Sequence, residues 1–136
     1  MNPIAKAILP LAAIGLTSAC ATSDMARAEK GEIELAELLD GRVAGEPENC
    51  INTFGNRNLT MIDQTAVTYR AGDTIWVARA TDPRSIDEDD ILLIEKFGGS
   101  QLCTTDQIKT VDRTGGFLTG FIRLESFVPY RLPEDS

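Results

Sequence analysis

The sequence has 136 residues, 43% of them hydrophobic and 25% charged, a balance that supports one globular domain and excludes both wholesale disorder and a polytopic membrane protein. Its formal net charge is −8, from 13 Lys and Arg against 21 Asp and Glu, and such a surface repels the phosphates of a nucleic-acid partner. Histidine is absent, which removes every mechanism that needs an imidazole as base, as partner of a nucleophile or as metal ligand.

The N-terminal segment differs from the rest. Lys6 is the only charged side chain in the first 20 residues, and Ala7 to Leu16 is an apolar run. A helix needs about 20 apolar residues to cross a bilayer, and Pro10 and Gly15 weaken this shorter stretch further. A basic start, a short apolar centre and small residues at the end predict a cleaved export signal over 1–19. Leu16-Thr17-Ser18-Ala19-Cys20 resembles a bacterial lipobox, with Thr17 where Leu, Val or Ile is usual. That resemblance implies acylation of Cys20 and a lipid anchor in a membrane. Ala21 in the next position implies the outer membrane, with the protein facing the periplasm. Ala19-Cys20-Ala21 also forms an ordinary A-x-A site, and cleavage there leaves a soluble periplasmic protein beginning at Thr22. Residues 20–31 are small, polar and aperiodic, which predicts a flexible tether. A single β-rich domain is then expected over 32–131, with a short tail over 132–136.

From Gly31 to Gly41, Ile33, Leu35, Ala36, Leu38 and Leu39 alternate with Glu32, Glu34 and Glu37 in a helical pattern that Gly41 ends. Beyond Gly45-Glu46-Pro47 the pattern becomes that of strands. Asn58 to Ile62, Thr65 to Arg70 and Thr74 to Ala80 flank Asp63-Gln64 and Ala71-Gly72-Asp73, predicting two consecutive hairpins. Ile91 to Phe97 forms an apolar run closed by Gly98-Gly99, read as a strand although a short helix satisfies the same pattern. Gln107 to Asp112 and Phe117 to Phe127 bracket Arg113-Thr114-Gly115-Gly116 as a third hairpin, and Gly120 inside its second strand predicts a bulge or bend. The expected class is therefore α+β, mainly β: one short N-terminal helix and about six antiparallel strands in a curved sheet or small, partly open barrel.

The segment Gly41-Arg42-Val43-Ala44-Gly45-Glu46-Pro47-Glu48-Asn49-Cys50-Ile51, the Leu102-Cys103-Thr104-Thr105-Asp106 element and the later Gly120-Phe121 resemble a family of small exported proteins from Gram-negative bacteria, catalogued as a domain of unknown function. The resemblance runs from Leu35 to Tyr130. Many members carry four cysteines, whereas this chain has Asp82-Pro83 and Leu118 near two of those positions. The joint loss implies that Cys50 and Cys103 pair with each other, and the family brings no activity or cofactor. Cysteine arithmetic reaches the same pair separately. Three cysteines in an exported chain divide into one lipidation candidate, Cys20, and one even pair. The competing reading of Cys50 or Cys103, a reactive thiol, needs a thiolate-stabilising neighbour that no histidine supplies.

Asp82, Asp87, Glu88, Asp89 and Asp90 crowd oxygen ligands together, but their spacing lacks the alternation, central Gly and terminal Glu of an EF-hand, so a solvated acidic loop is expected and no metal. Asp63, Asp73, Asp106 and Asp112 fall near turns, where Asp bonds to its own backbone. Used as acid and base, Asp63 and Asp106 would instead define a carboxylate-dependent hydrolase. No nucleophile elbow, P-loop or dinucleotide fingerprint is present. Tyr69, Trp76 and Phe121 offer the lining of an apolar groove for a ligand, but large aromatics in a small domain are usually core, and the core is expected. These readings converge on a non-enzymatic envelope protein with a binding or structural role and no cofactor.

Overall fold

Helix formation begins earlier than the apolar periodicity indicates. The computed structural model describes residues 19–54, 58–96 and 99–134, so the expected signal segment, Ala19 excepted, lies outside the described residues. Helix α1 spans Ala19–Leu38, and residues 20–31, expected as a flexible tether, are instead its N-terminal part. The reason lies on one face. Asp24, Arg27, Gly31, Leu35 and Leu38 follow one another at intervals of three or four, so they line a single stripe. Its first half is polar and docks through charge: Arg27 Nε and Nη2 donate to Asp63 Oδ2 and Oδ1 at 2.7 and 2.8 Å, and Gln64 Nε2 donates to Asp24 Oδ1 at 3.3 Å. The second half is apolar, with Leu35 buried among Ile62, Ala66, Ile75 and Val77. Gly41, with φ of 70°, follows the end of the helix.

Ten strands follow: β1 (Val43–Ala44), β2 (Cys50–Asn52), β3 (Leu59–Ile62), β4 (Ala66–Ala71), β5 (Thr74–Arg79), β6 (Asp90–Glu95), β7 (Gln101–Cys103), β8 (Gln107–Asp112), β9 (Leu118–Ile122) and β10 (Val128–Arg131). A 3-10 turn, Pro83–Ser85, lies between β5 and β6. The strands form a five-stranded sheet in the order β1-β10-β5-β4-β3, a pair β2-β7, and a three-stranded sheet β6-β8-β9. All pairings are antiparallel. The class is α+β and mainly β, as expected. Among the described residues, however, ten strands replace the expected six, and three sheets replace a single curved sheet or partly open barrel. The additional strands have two to four residues, too few for an alternation to register in the sequence.

The three expected hairpins are present as β3-β4, β4-β5 and β8-β9. Gly72 at φ 59° turns the second, and Gln64 at φ 47° turns the first. At the expected bulge, Thr110 pairs with Gly120 but Val111 pairs with Leu118, leaving Thr119 as the extra residue. The chain beyond β9 then leaves that sheet. Ala80 bridges Leu124, and β10 inserts between β1 and β5.

The core has two parts, one on each face of the β4-β5 hairpin. Val67, Tyr69, Ala78 and Ala80 join Ile51, Ile86, Leu102, Ile108, Ile122, Leu124 and Phe127 on one side, and Ala66, Ile75 and Val77 meet Leu35 of the helix on the other. Gly31 lets the helix approach this closely, since a Cβ there would collide with Asp63 O and Thr65 Oγ1. Gly31→Ala should therefore destabilise the protein by about 1–3 kcal/mol through overpacking, although alanine has the higher helix propensity. Urea denaturation of the two proteins measures the difference.

Candidate functional site

Segments distant in sequence meet at Cys50 and Cys103, which form a disulfide across a separation of 53 residues with Cα atoms 4.0 Å apart. The two cysteines are register partners in the β2-β7 pair. The Thr104 N–H donates to Asn49 O at 2.9 Å and the Thr53 N–H to Ser100 O at 2.8 Å. By alternation these bonds put the cysteines at a non-hydrogen-bonded position, where opposed Cα atoms approach most closely. The bridge tethers Ile51 and Leu102, both buried, into the larger half of the core. Cys20 stands in the first turn of α1.

The acidic stretch is organised rather than merely solvated. Asp82 caps the 3-10 turn, accepting the Arg84 N–H at 3.1 Å and pairing with the Arg84 guanidinium. Asp87 accepts Arg27 Nη2 at 3.3 Å, and Glu88 lies 3.8 Å from Lys30 Nζ. Asp90 Oδ2 accepts the Thr119 hydroxyl. Among the described residues, no group of three or more His, Cys, Asp or Glu side chains converges to hold a metal ion. Part of the loop therefore receives the cations of the helix. Along the same helix, Arg79 Nη1 and Nη2 donate to Glu32 at 2.5 and 3.0 Å. These bonds, foremost among the causes, hold the Glu32 carboxyl below its ordinary range and raise the Arg79 guanidinium above its own.

The two carboxylates considered for acid-base work occupy separate turns. Asp63, in the β3-β4 turn, is engaged by both arms of Arg27 and only 12% exposed. Asp106, in the β7-β8 turn, accepts the Cys103 N–H at 2.8 Å. The cleft beside Asp106, about 490 Å³, is bounded by Thr104, Thr105, Gln107, Phe121 and Arg123, and Asp63 is not among its lining residues. Asp112 behaves as a turn residue, accepting the Thr114 and Gly115 N–H groups. Tyr69 is buried and donates no space to a ligand, while Trp76 is half-buried under Arg131, whose guanidinium carbon is 6.0 Å from its ring.

Phe121 departs from expectation. It is 59% exposed, and register places it beside Lys109, whose other partner is Leu93. With Ile91, Val111 and Leu118 these residues form an apolar outer face on the β6-β8-β9 sheet, crossed by a Lys109–Glu95 ion pair. Burial alternates along β6, but its run Ile91 to Ile94 is apolar throughout, so the sequence does not say which parity turns outward. A second concave feature, a cleft of about 570 Å³, opens between β3 and β6. No family model, curated protein or solved structure matches the chain.

Replacing Cys50 and Cys103 together by Ala should cost about 2–5 kcal/mol, since the bridge removes loop entropy worth about 4 kcal/mol from the unfolded chain; denaturation midpoints with and without reductant measure it. The Glu32 ion pair adds a pH dependence. Because the folded carboxyl is the stronger acid, its contribution is complete above about pH 5 and is lost as the pH falls through its depressed value, below the unfolded value of about 4.3. Glu32→Gln should therefore lower stability slightly at neutral pH, given the exposure of the pair. The difference from the parent should close on acidification, as read from thermal midpoints over that window.

Proposed function

We propose that this chain is an exported cell-envelope protein, held by acyl chains on Cys20 and facing the periplasm, the outer membrane being favoured by Ala21, and that it acts by contact rather than by catalysis. The observation that carries this reading is the Cys50–Cys103 disulfide, a bond that persists in oxidising compartments and is rare in the reducing cytosol. The apolar run before Cys20 and the lipobox-like Leu16 to Cys20 supply the route and the anchor point. Among the described residues no helix is long and apolar enough to cross a membrane; attachment in this reading comes from the acyl chains on Cys20. Contact is supported by the exposed Ile91, Leu93, Leu118 and Phe121 on one sheet face, and by Asp63 and Asp106 each being committed to a hydrogen bond within the fold.

Helix α1 gives the anchored form a particular geometry. Cys20 and Arg27 are seven positions apart in the helix, about 10 Å at the α-helical rise, and Arg27 is bonded to Asp63 and Asp87. An acyl group at Cys20 would hold the domain close against the lipid surface. Mass spectrometry of the protein from its native host tests the reading: a chain beginning at acylated Cys20, with Cys50 and Cys103 oxidised, is expected. An unmodified N-terminus at Thr22 would replace the anchored form by the soluble periplasmic one, and an uncut chain with all three thiols reduced would overturn export.

A further inference from the structure

Two open sheet edges face the same cleft. β3 ends the five-stranded sheet and β6 ends the three-stranded sheet, and among the described residues neither has a strand on its outer side. They are joined at one end, where the Gln64 N–H donates to Ile86 O at 3.0 Å. From that point β3 runs back through Met61 to Leu59 while the chain runs forward through Glu88 to Leu92, and the cleft of about 570 Å³ opens between them. Its base is apolar: Leu59, Met61 and Leu92 are half-buried and pack on the core. Its rim carries the carboxylates of Glu34, Glu88, Asp89 and Asp90. The cation on this rim, Arg113, is directed at the main chain, with Nε 3.1 Å from Asp89 O.

We propose that this cleft receives an extended, basic polypeptide segment, which adds as a strand to the outer edge of β6. An unpaired edge offers N–H and C=O groups that a strand satisfies in full, and strand addition draws affinity from the main chain and selectivity from alternate side chains. Apolar side chains of the added strand rest on Leu59, Met61 and Leu92, while its lysines or arginines meet Glu34 and Asp89. The charge selects the occupant. A second copy of this chain would set the same carboxylates against themselves across the edge, and like charges directly opposed disfavour pairing. A nucleic acid is repelled for the same reason. The inference rests on the contact reading of the protein but not on its export, so the two fail separately. A chain found acylated that binds no such peptide loses the groove and keeps the envelope, whereas a reduced cytosolic chain that binds it does the reverse.

The test uses the purified oxidised protein and an acetylated, amidated peptide of alternating lysine and valine, about eight residues long to match a strand. Fluorescence anisotropy at low ionic strength should show saturable binding that weakens with salt, and hydrogen exchange should show new protection along β6. Glu34→Gln and Asp89→Asn alter exposed side chains and should each weaken binding about two- to five-fold. Methylating alternate peptide nitrogens should abolish it by removing the ladder donors. The proposal is overturned by equal binding of the methylated peptide, of an alternating glutamate-valine peptide or of oligolysine. It is equally overturned by protection elsewhere than β6, by self-association through β6 in the absence of peptide, or by no binding at millimolar concentration.

Discussion

The β4-β5 hairpin must be covered on both faces, and the rest of the molecule is arranged around that requirement. Val67, Tyr69 and Ala78 point to one side, and Ala66, Ile75 and Val77 to the other. A domain of this size has little surface to spare for a cover that is stable by itself. Each cover is accordingly tied down by something other than apolar burial. On one side the helix is fastened by Arg27 to Asp63 and by Arg79 to Glu32. On the other, β2 and β7 have only three residues each, a pairing too short to persist alone, and the disulfide holds them together. The covalent bond and the ion pairs thus act on opposite faces, the bond contributing more to stability than the partly exposed pairs.

What was legible in the sequence follows from how local each cause is. The three hairpins were visible because turn residues and alternating strands lie within a few positions of one another. Gly120 announced its bulge for the same reason, since the extra residue sits next to it. The N-terminal half of α1 was not legible, because its docking face consists of Asp24, Arg27 and Gly31, residues whose composition resembles that of a tether. Only the partners at Asp63, Gln64 and Thr65 reveal them as a packing stripe. Gly31 in particular reads locally as a helix boundary and acts instead as a notch for a neighbouring carbonyl. The four unpredicted strands, β1, β2, β7 and β10, owe their existence to partners far along the chain, so no local window contains the reason for them.

The site features divide along the same line. The Cys50–Cys103 pair could be reached by counting, because a covalent bond restricts the possibilities to few. Phe121 was misplaced because aromatic character favours burial on average, whereas its actual side is decided by the register of β8 and β9 across the Thr119 bulge. The cleft between β3 and β6 has no signature of its own. It exists because one sheet ends where another begins, and topology of that kind is a property of the assembled chain.

The acidic stretch links the two halves of this account. Asp87 accepts Arg27 and Glu88 forms an ion pair with Lys30, while Glu88, Asp89 and Asp90 rim the cleft together with Glu34. Glu34 belongs to α1 itself, one residue before the buried Leu35. The cleft is therefore completed only when the helix is seated, and of the carboxylates on its border Glu88 also faces a cation of the helix, Lys30, at 3.8 Å. Loosening the N-terminal ion pairs would withdraw one wall of the groove and release part of the charge on another. Helix docking and the helix-borne wall of the cleft are linked in this way through Glu34. Carboxylates paired with Arg27 and Arg79 stabilise the fold, and Glu34 and Asp89 on the rim give the cleft its electrostatic character.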